Sequence, residues 1–211
     1  DVAWASTGID GRYYDVVGIA PWVEYFLVMA YDMQSQIVGR PCAAYPNSPL
    51  AAVEQGLHSY LNAGVPPSQI VLGLPWYGYK YPCTSLVPPA QPDQPGLCNI
   101  KPVPFRGVDC SDAAGSQVAL SSMLQLLWNN ATRSGATESG RWLEFTGAGQ
   151  QPYQCWFDDP VSLARKYALY STLRLRGLSM WNADEVAYTG DSAEQKVTLE
   201  MWQTLADAMQ A

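Results

Sequence analysis

Histidine is nearly absent from this chain: His58 is the single one among 211 residues. A histidine-based nucleophilic triad would have to be built on that residue alone, and His58 lies along a predicted helix as a partly solvated surface side chain. The cysteines, at 42, 83, 98, 110 and 155, contain no Cys-x-x-Cys spacing, so a zinc-type ligand pattern is missing as well. Neither a metal nor another cofactor is expected. Positive charge is also scarce: 12 Lys and Arg against 19 Asp and Glu give a net charge of -7, which disfavours nucleic acid or an anionic membrane as partner. The apolar runs stop far short of the ~20 residues that a membrane span needs, and there is no internal repeat or low-complexity tract. Five cysteines is an odd count, leaving one unpaired or paired outside this sequence.

Four segments carry the organisation. Residues 25–32 read Tyr-Phe-Leu-Val-Met-Ala-Tyr-Asp, a run apolar on both faces that stops on a hydroxyl and a carboxylate. Residues 70–77, Ile-Val-Leu-Gly-Leu-Pro-Trp-Tyr, and 177–182, Gly-Leu-Ser-Met-Trp-Asn, repeat the pattern, and residues 1–4 look like the tail of another such strand. Helical patterns lie between. Ser48 as N-cap and Pro49 open a helix with Leu50, Val53, Leu57 and Leu61 on one face, closed by Gly64 and two prolines. Asp159 and Pro160 open another, carrying Leu163, Tyr167, Tyr170 and Leu173, with Gly177 as its stop. A last helix starts near Ser192, and a short one fills residues 15–22. Trp128 and Trp202 fall at helical spacing and read as core. The alternation of strand and helix predicts an α/β protein with a parallel sheet.

Strand spacing predicts an insertion. Roughly 45 residues separate the second and third runs, but roughly 105 separate the third and fourth, far beyond one crossover. The domain reading is therefore 1–79 for strands and helices of a barrel, 80–153 for an α+β insertion, and 154–211 for the final helices and strand. The insertion holds Pro-rich coil at 81–104, a helix from Gln117 to about Ala131, and short strands near 142–145 and 153–157. Three of the cysteines lie in it, where a staple is useful.

Chemistry in a parallel barrel sits where strands end. Tyr31, Asp32, Trp76, Tyr77, Trp181 and Asn182 occupy such ends and combine flat aromatic faces with hydrogen-bonding groups, the combination that a pyranose ring requires.

In order along the chain, Met29-Ala30-Tyr31-Asp32, Gly73-Leu74-Pro75-Trp76-Tyr77-Gly78, Trp156-Phe157-Asp158-Asp159-Pro160 with Ser162 and Lys166, and Gly177-Leu178-Ser179-Met180-Trp181 resemble the later barrel motifs of the family 18, chitinase-type glycoside hydrolases. Further segments, among them Asp1-Val2-Ala3-Trp4, Val103-Pro104-Phe105-Arg106-Gly107 and Cys110-Ser111-Asp112, are closer still to a lysosomal member acting in glycoprotein breakdown. The resemblance implies the C-terminal half, strands five to eight, of a (β/α)8 barrel, with the α+β insertion between strands seven and eight. It implies cleavage of β-1,4-linked N-acetylglucosamine, at the reducing-end sugar of the chitobiose core of N-glycans, by a substrate-assisted retaining route through an oxazolinium ion. In that route Tyr31 would hydrogen-bond the acetamido oxygen, Asp32 would bind sugar hydroxyls, Trp181 would floor the site, Trp76 and Tyr77 would shape its rim, and Met29 and Asn182 would line it.

The family's general acid, a Glu at the end of the fourth strand, would precede Asp1. Asp158 and Asp159 read instead as a helix N-cap pair, and Asp184 and Glu185 as an exposed loop. The chain lacks an initiator Met and starts inside a strand-like segment, so a fragment, a truncated isoform or part of a longer chain is expected, with the first half of the barrel as its missing partner. A non-catalytic chitinase-like lectin is the alternative. Asn130-Ala131-Thr132 is an N-glycosylation acceptor, consistent with a lysosomal or secreted protein.

Overall fold

The computed structural model describes residues 1–33, 42–105, 108–190 and 192–210. Arg106 and Gly107 of the 103–107 motif lie outside the described residues. A short helix α1 (Val16–Ile19), with Asp15 capping Gly18 N–H, runs into a 3-10 turn at Ala20–Trp22. Strand β1 (Phe26–Met29) follows, then α2 (Leu50–Ala63) and β2 (Ile70–Pro75). A long excursion of short elements leads to α4 (Pro160–Leu173), β10 (Gly177–Trp181) and α5 (Ser192–Gln210). β1, β2 and β10 form a three-stranded parallel sheet in the order β1-β2-β10, with Phe26 opposite Ile70 and Gly177 opposite Val71. Val2 adds a single parallel bridge to Val28 on the other side of β1. The predicted first strand is thus reduced to that bridge, made by Val2 N–H to Leu27 and Met29 N–H to Val2.

The excursion holds β3 (Tyr77–Pro82), β4 (Ser85–Val87), β5 (Leu97–Asn99), β6 (Ser116–Ala119), α3 (Leu120–Asn129), β7 (Arg133–Thr137), β8 (Gly140–Thr146) and β9 (Pro152–Phe157). Five of them build an antiparallel sheet, β6-β3-β9-β8-β7, and β4 pairs with β5 in a small hairpin. The limits 79/80 and 153/154 each fall inside a strand of this sheet, which runs from Tyr77 to Phe157. α3 is also shorter than predicted, because Gln117 pairs with Tyr79 as strand. Alternation along β8 and β9 sends Leu143, Phe145, Cys155 and Phe157 into the main core, and Trp142 and Trp156 into a second cluster with Tyr81 and Ile100. The insertion therefore shares the core of the parallel sheet. Gly78 permits the close approach of β3 and β9: a Cβ there would sit 2.5 Å from the Trp156 carbonyl oxygen.

Helix ends show where local rules held. Asp159 caps α4 in a reciprocal box with Ser162, and Pro160 takes the first turn as predicted. The helix stops earlier than predicted, at Leu173, with Arg174 left-handed at φ 53°, while Gly177 opens β10. α2 begins after Pro49, and Gly64 ends it at φ 103°, but Ser48 is not its cap. The Ser48 hydroxyl donates to the Ala30 carbonyl at 2.6 Å, and the Leu50 N–H is taken by Ser139 Oγ from the β7–β8 turn. The N-cap pair resolves into two roles. Asp159 caps, whereas Asp158 is buried and bonds Lys166 Nζ at 2.5 and 2.7 Å, with the Ser162 hydroxyl on the same carboxylate. Burial raises Asp158 and lowers Lys166, and their contact opposes both shifts.

Two disulfides are present. Cys83–Cys98 closes a separation of 15 residues and Cys42–Cys110 one of 68. On chain-entropy grounds these contribute about 3 and 4 kcal/mol. Cys155 is the unpaired cysteine, and it is buried. His58 is exposed, as expected. No helix among the described residues is long and apolar enough to cross a membrane. Trp128 and Trp202 are not core: both keep more than a third of their surface exposed, because the helices that carry them turn those faces outward.

Candidate active site

The carboxyl ends of β1, β2 and β10 lie side by side, and three of the predicted residues converge there. The chain leaves β1 through Ala30, whose N–H reaches the Gly73 carbonyl, and arrives at Tyr31 and Asp32. Asp32 has φ 56°, in the left-handed region that Asp tolerates better than most residues. Asn47 fixes this bend, its Oδ1 accepting the Asp32 N–H at 2.7 Å and its carbonyl accepting the Met33 N–H. The loop bearing Asn47 is itself held: Cys42 is bonded to Cys110, the Ile100 N–H donates to Cys42, and the Ala44 N–H donates to Cys98. The insertion thus clamps the turn that aims Asp32.

Tyr77 comes from the first position of β3. Its hydroxyl donates to Asp32 Oδ1 at 2.5 Å, and its ring meets Tyr31 edge-on at 6.1 Å. Tyr77, Tyr79 and Tyr81 alternate along β3, with Tyr79 stacked on Tyr81 at 5.7 Å. Burial raises the Asp32 carboxyl above the ordinary carboxylate range, and hydrogen bonds from Tyr77 and Tyr79 pull it back. Burial, and then the Asp32 charge, push the Tyr31 phenol up to about 12, so that it stays protonated and able to donate. The same two causes raise Tyr77 further.

The aromatic residues divide differently from the prediction. Trp181, at the end of β10, keeps 52% of its surface exposed. Trp76 keeps 0%: its indole N–H donates to Tyr167 at 3.0 Å and its ring packs on Trp202 at 4.8 Å, so it is a core residue and not a rim residue. Tyr77 is buried as well and meets Asp32 from below instead of shaping the rim. The inversion arises because neighbouring strand residues face opposite ways, and apolar composition alone does not say which faces the core. Met29 closes β1 opposite Gly73, half-buried. Asn182 follows Trp181 across a cis peptide, and its Oδ1 is buried without a hydrogen-bond partner. Sequence reasoning missed Asn47 and Tyr79. The period-two tyrosines of β3 were a readable signal for Tyr79. Asn47 had none beyond its place in the loop after a strand.

Other carboxylates are engaged elsewhere. Glu185 accepts from Gln117, and Glu144 is buried against Arg133, the Gly96 N–H and Gln154. Among the described residues, no group of three or more His, Cys, Asp or Glu side chains is arranged to hold a metal.

The Asp32 environment has a pH signature. Because folding raises this pKa, the ionised carboxylate costs stability at neutral pH, and that cost is relieved as pH falls through the raised value toward ~3.9. In melts across this acidic window, wild type should gain stability relative to Asp32→Asn. A Tm difference that stays constant with pH would contradict the assignment.

Residues 1–185 match the profile of the glycosyl hydrolases family 18. The chain is 36% identical over 209 residues to the human di-N-acetylchitobiase, covering 97% of this chain and 52% of that protein. It is 37% identical over 224 residues to the probable di-N-acetylchitobiase 2 of Dictyostelium discoideum, covering 98% and 54%. The fold agrees with a Cycas revoluta GH18 chitinase solved with (GlcNAc)3, at TM-score 0.66 and 18% identity, over 99% of this chain and 54% of that one. The chain spans about half the length of the relatives it matches. With the family profile covering most of its length and the motif residues gathered at the strand ends, the chain belongs to the glycosyl hydrolases of family 18.

Proposed function

We propose that this chain is the substrate-positioning half of a glycosidase that cleaves β-1,4-linked N-acetylglucosamine, acting on the reducing-end sugar of a chitobiose core. The observation that carries the reading is the donor-acceptor pair at the end of β1: a protonated Tyr31 beside an Asp32 held by Tyr77, with the exposed Trp181 at the end of β10 in the same sheet.

In the proposed reaction an upstream Glu protonates the glycosidic oxygen while the substrate's acetamido carbonyl oxygen attacks the anomeric carbon. The leaving sugar departs as the alcohol, and water opens the resulting oxazolinium ion with retention. This is a known exception to the two-carboxylate pattern. Tyr31 donates to the acetamido oxygen and fixes its direction of attack, Asp32 takes sugar hydroxyls on the lone pairs that its tyrosines leave, and Trp181 offers its face to the pyranose ring. Asn182 and Met29 line the same end of the sheet.

The Val2 segment, β1, β2 and β10 correspond in this reading to strands five to eight of a (β/α)8 barrel. Two disulfides and an exposed Asn130 at the end of α3 support an oxidising, lysosomal or secretory setting with glycosylation at that residue. The same Tyr31, Asp32 and Trp181 would also serve a chitinase-like lectin, which binds the sugar without turnover.

Trp181→Ala tests the site and turnover separates the readings. The variant should lose chitobiose binding by titration while its melt stays within about 1 kcal/mol of wild type, since the side chain is half exposed. Unchanged binding would sink the platform role. The 211-residue chain alone should not hydrolyse chitobiose. Addition of the first half of the barrel should restore hydrolysis, and a complemented protein that binds without turnover is the lectin.

A further inference from the structure

A pocket of about 450 Å³ opens between the first turns of α3 and the loop joining β10 to α5. That volume falls in the ~300–1,000 Å³ range of small-molecule sites. Tyr188 forms one wall. Its hydroxyl is tied at both ends, donating to the Ala183 carbonyl at 2.7 Å and accepting from the Trp202 indole at 3.3 Å, yet the residue is 55% exposed. What Tyr188 presents to solvent is therefore its ring, already fixed in place. The facing wall carries the hydroxyls of Ser121 and Ser122 and the amide of Gln125, whose Oε1 accepts from Asn129 Nδ2 at 2.7 Å. Glu194 lies at the base, only 9% exposed, with Oε1 accepting from Gln125 Nε2 at 2.6 Å. None of the described lining residues is cationic.

An immobilised aromatic face opposite hydroxyls and an amide, with a buried carboxylate as acceptor, suits a ligand with an apolar C–H face and many O–H donors. The carboxylate and the net charge of -7 disfavour an anionic ligand. We propose that this pocket is a second saccharide-binding site, accepting one neutral hexose or N-acetylhexosamine unit. It stands independently of the reading of the Asp32 cleft.

Titration of the 15N-labelled chain with chitotriose, in wild type and in Trp181→Ala, tests it. The amides of Ala187, Tyr188, Thr189 and Gly190 should shift in both proteins. Tyr188→Ala should abolish those shifts, and Gln125→Ala should weaken them by roughly tenfold in affinity. Gln125 lies on α3, so its variant keeps the test decisive if Tyr188→Ala misfolds. Anionic glucuronate should bind more weakly than N-acetylglucosamine. Shifts that vanish in Trp181→Ala, shifts that persist in Tyr188→Ala, or a preference for glucuronate would overturn the proposal.

Discussion

Replacement of Lys166 by Met should destabilise the protein by about 3–5 kcal/mol, a fall in Tm of roughly 10 °C for a chain of this size. The ammonium is wholly buried and grips both oxygens of Asp158, whose surroundings leave it no water to turn to. Met fills similar volume but leaves the carboxylate alone in a low-dielectric site, and the Ser139 carbonyl loses its donor as well. Asp158→Asn in the Lys166→Met background should recover most of the loss, because the uncompensated charge is then gone. A thermal melt of the single and double variants decides it, and a single variant within 1 kcal/mol of wild type would show that the pair carries little. This is a structural role for residues that stand in a family motif.

For the proposed reaction, the largest kinetic losses should come from Asp32→Asn and Tyr31→Phe. Tyr31→Phe keeps the ring packed on Tyr77 and removes only the donor, so kcat should fall by roughly ten- to a hundredfold with KM changed far less. Asp32→Asn should be at least as damaging. It places an amide N–H₂ where Tyr77 now donates, forcing either a clash of donors or a turned side chain, while the left-handed bend that Asn tolerates is kept. An unaltered kcat in Tyr31→Phe would remove Tyr31 from the reaction.

The strands that carry Tyr31 and Trp181 were legible because buried parallel strands are short apolar runs that end abruptly, and α4 because Asp-Pro followed by Ser is a complete N-terminal signal. Ser48 shows the limit of such reasoning. Its position next to a helix start was right, but its hydroxyl serves the chain leaving β1, a partner that only tertiary folding supplies. Strand β3 escaped notice because Tyr-Gly-Tyr-Lys-Tyr has no apolar run, although its alternation is that of a strand with one wet face. Trp76 and Trp181 both close short apolar runs and are opposite in exposure, a distinction set by the direction of each side chain.

The β7–β8 turn binds the insertion to the parallel-sheet layer more tightly than a surface hairpin would. Ser139 accepts the first free N–H of α2 through its hydroxyl and the Lys166 ammonium through its carbonyl, so one turn residue closes the start of one helix and holds a buried side chain from the middle of another. The insertion is therefore not an interchangeable cassette. A chimera that grafted in a relative's insertion would inherit an open helix start at Leu50 and an underbonded Lys166 unless it also brought an equivalent of Ser139. Sequence drift at that turn is accordingly answerable to residues about 90 positions upstream and 27 downstream.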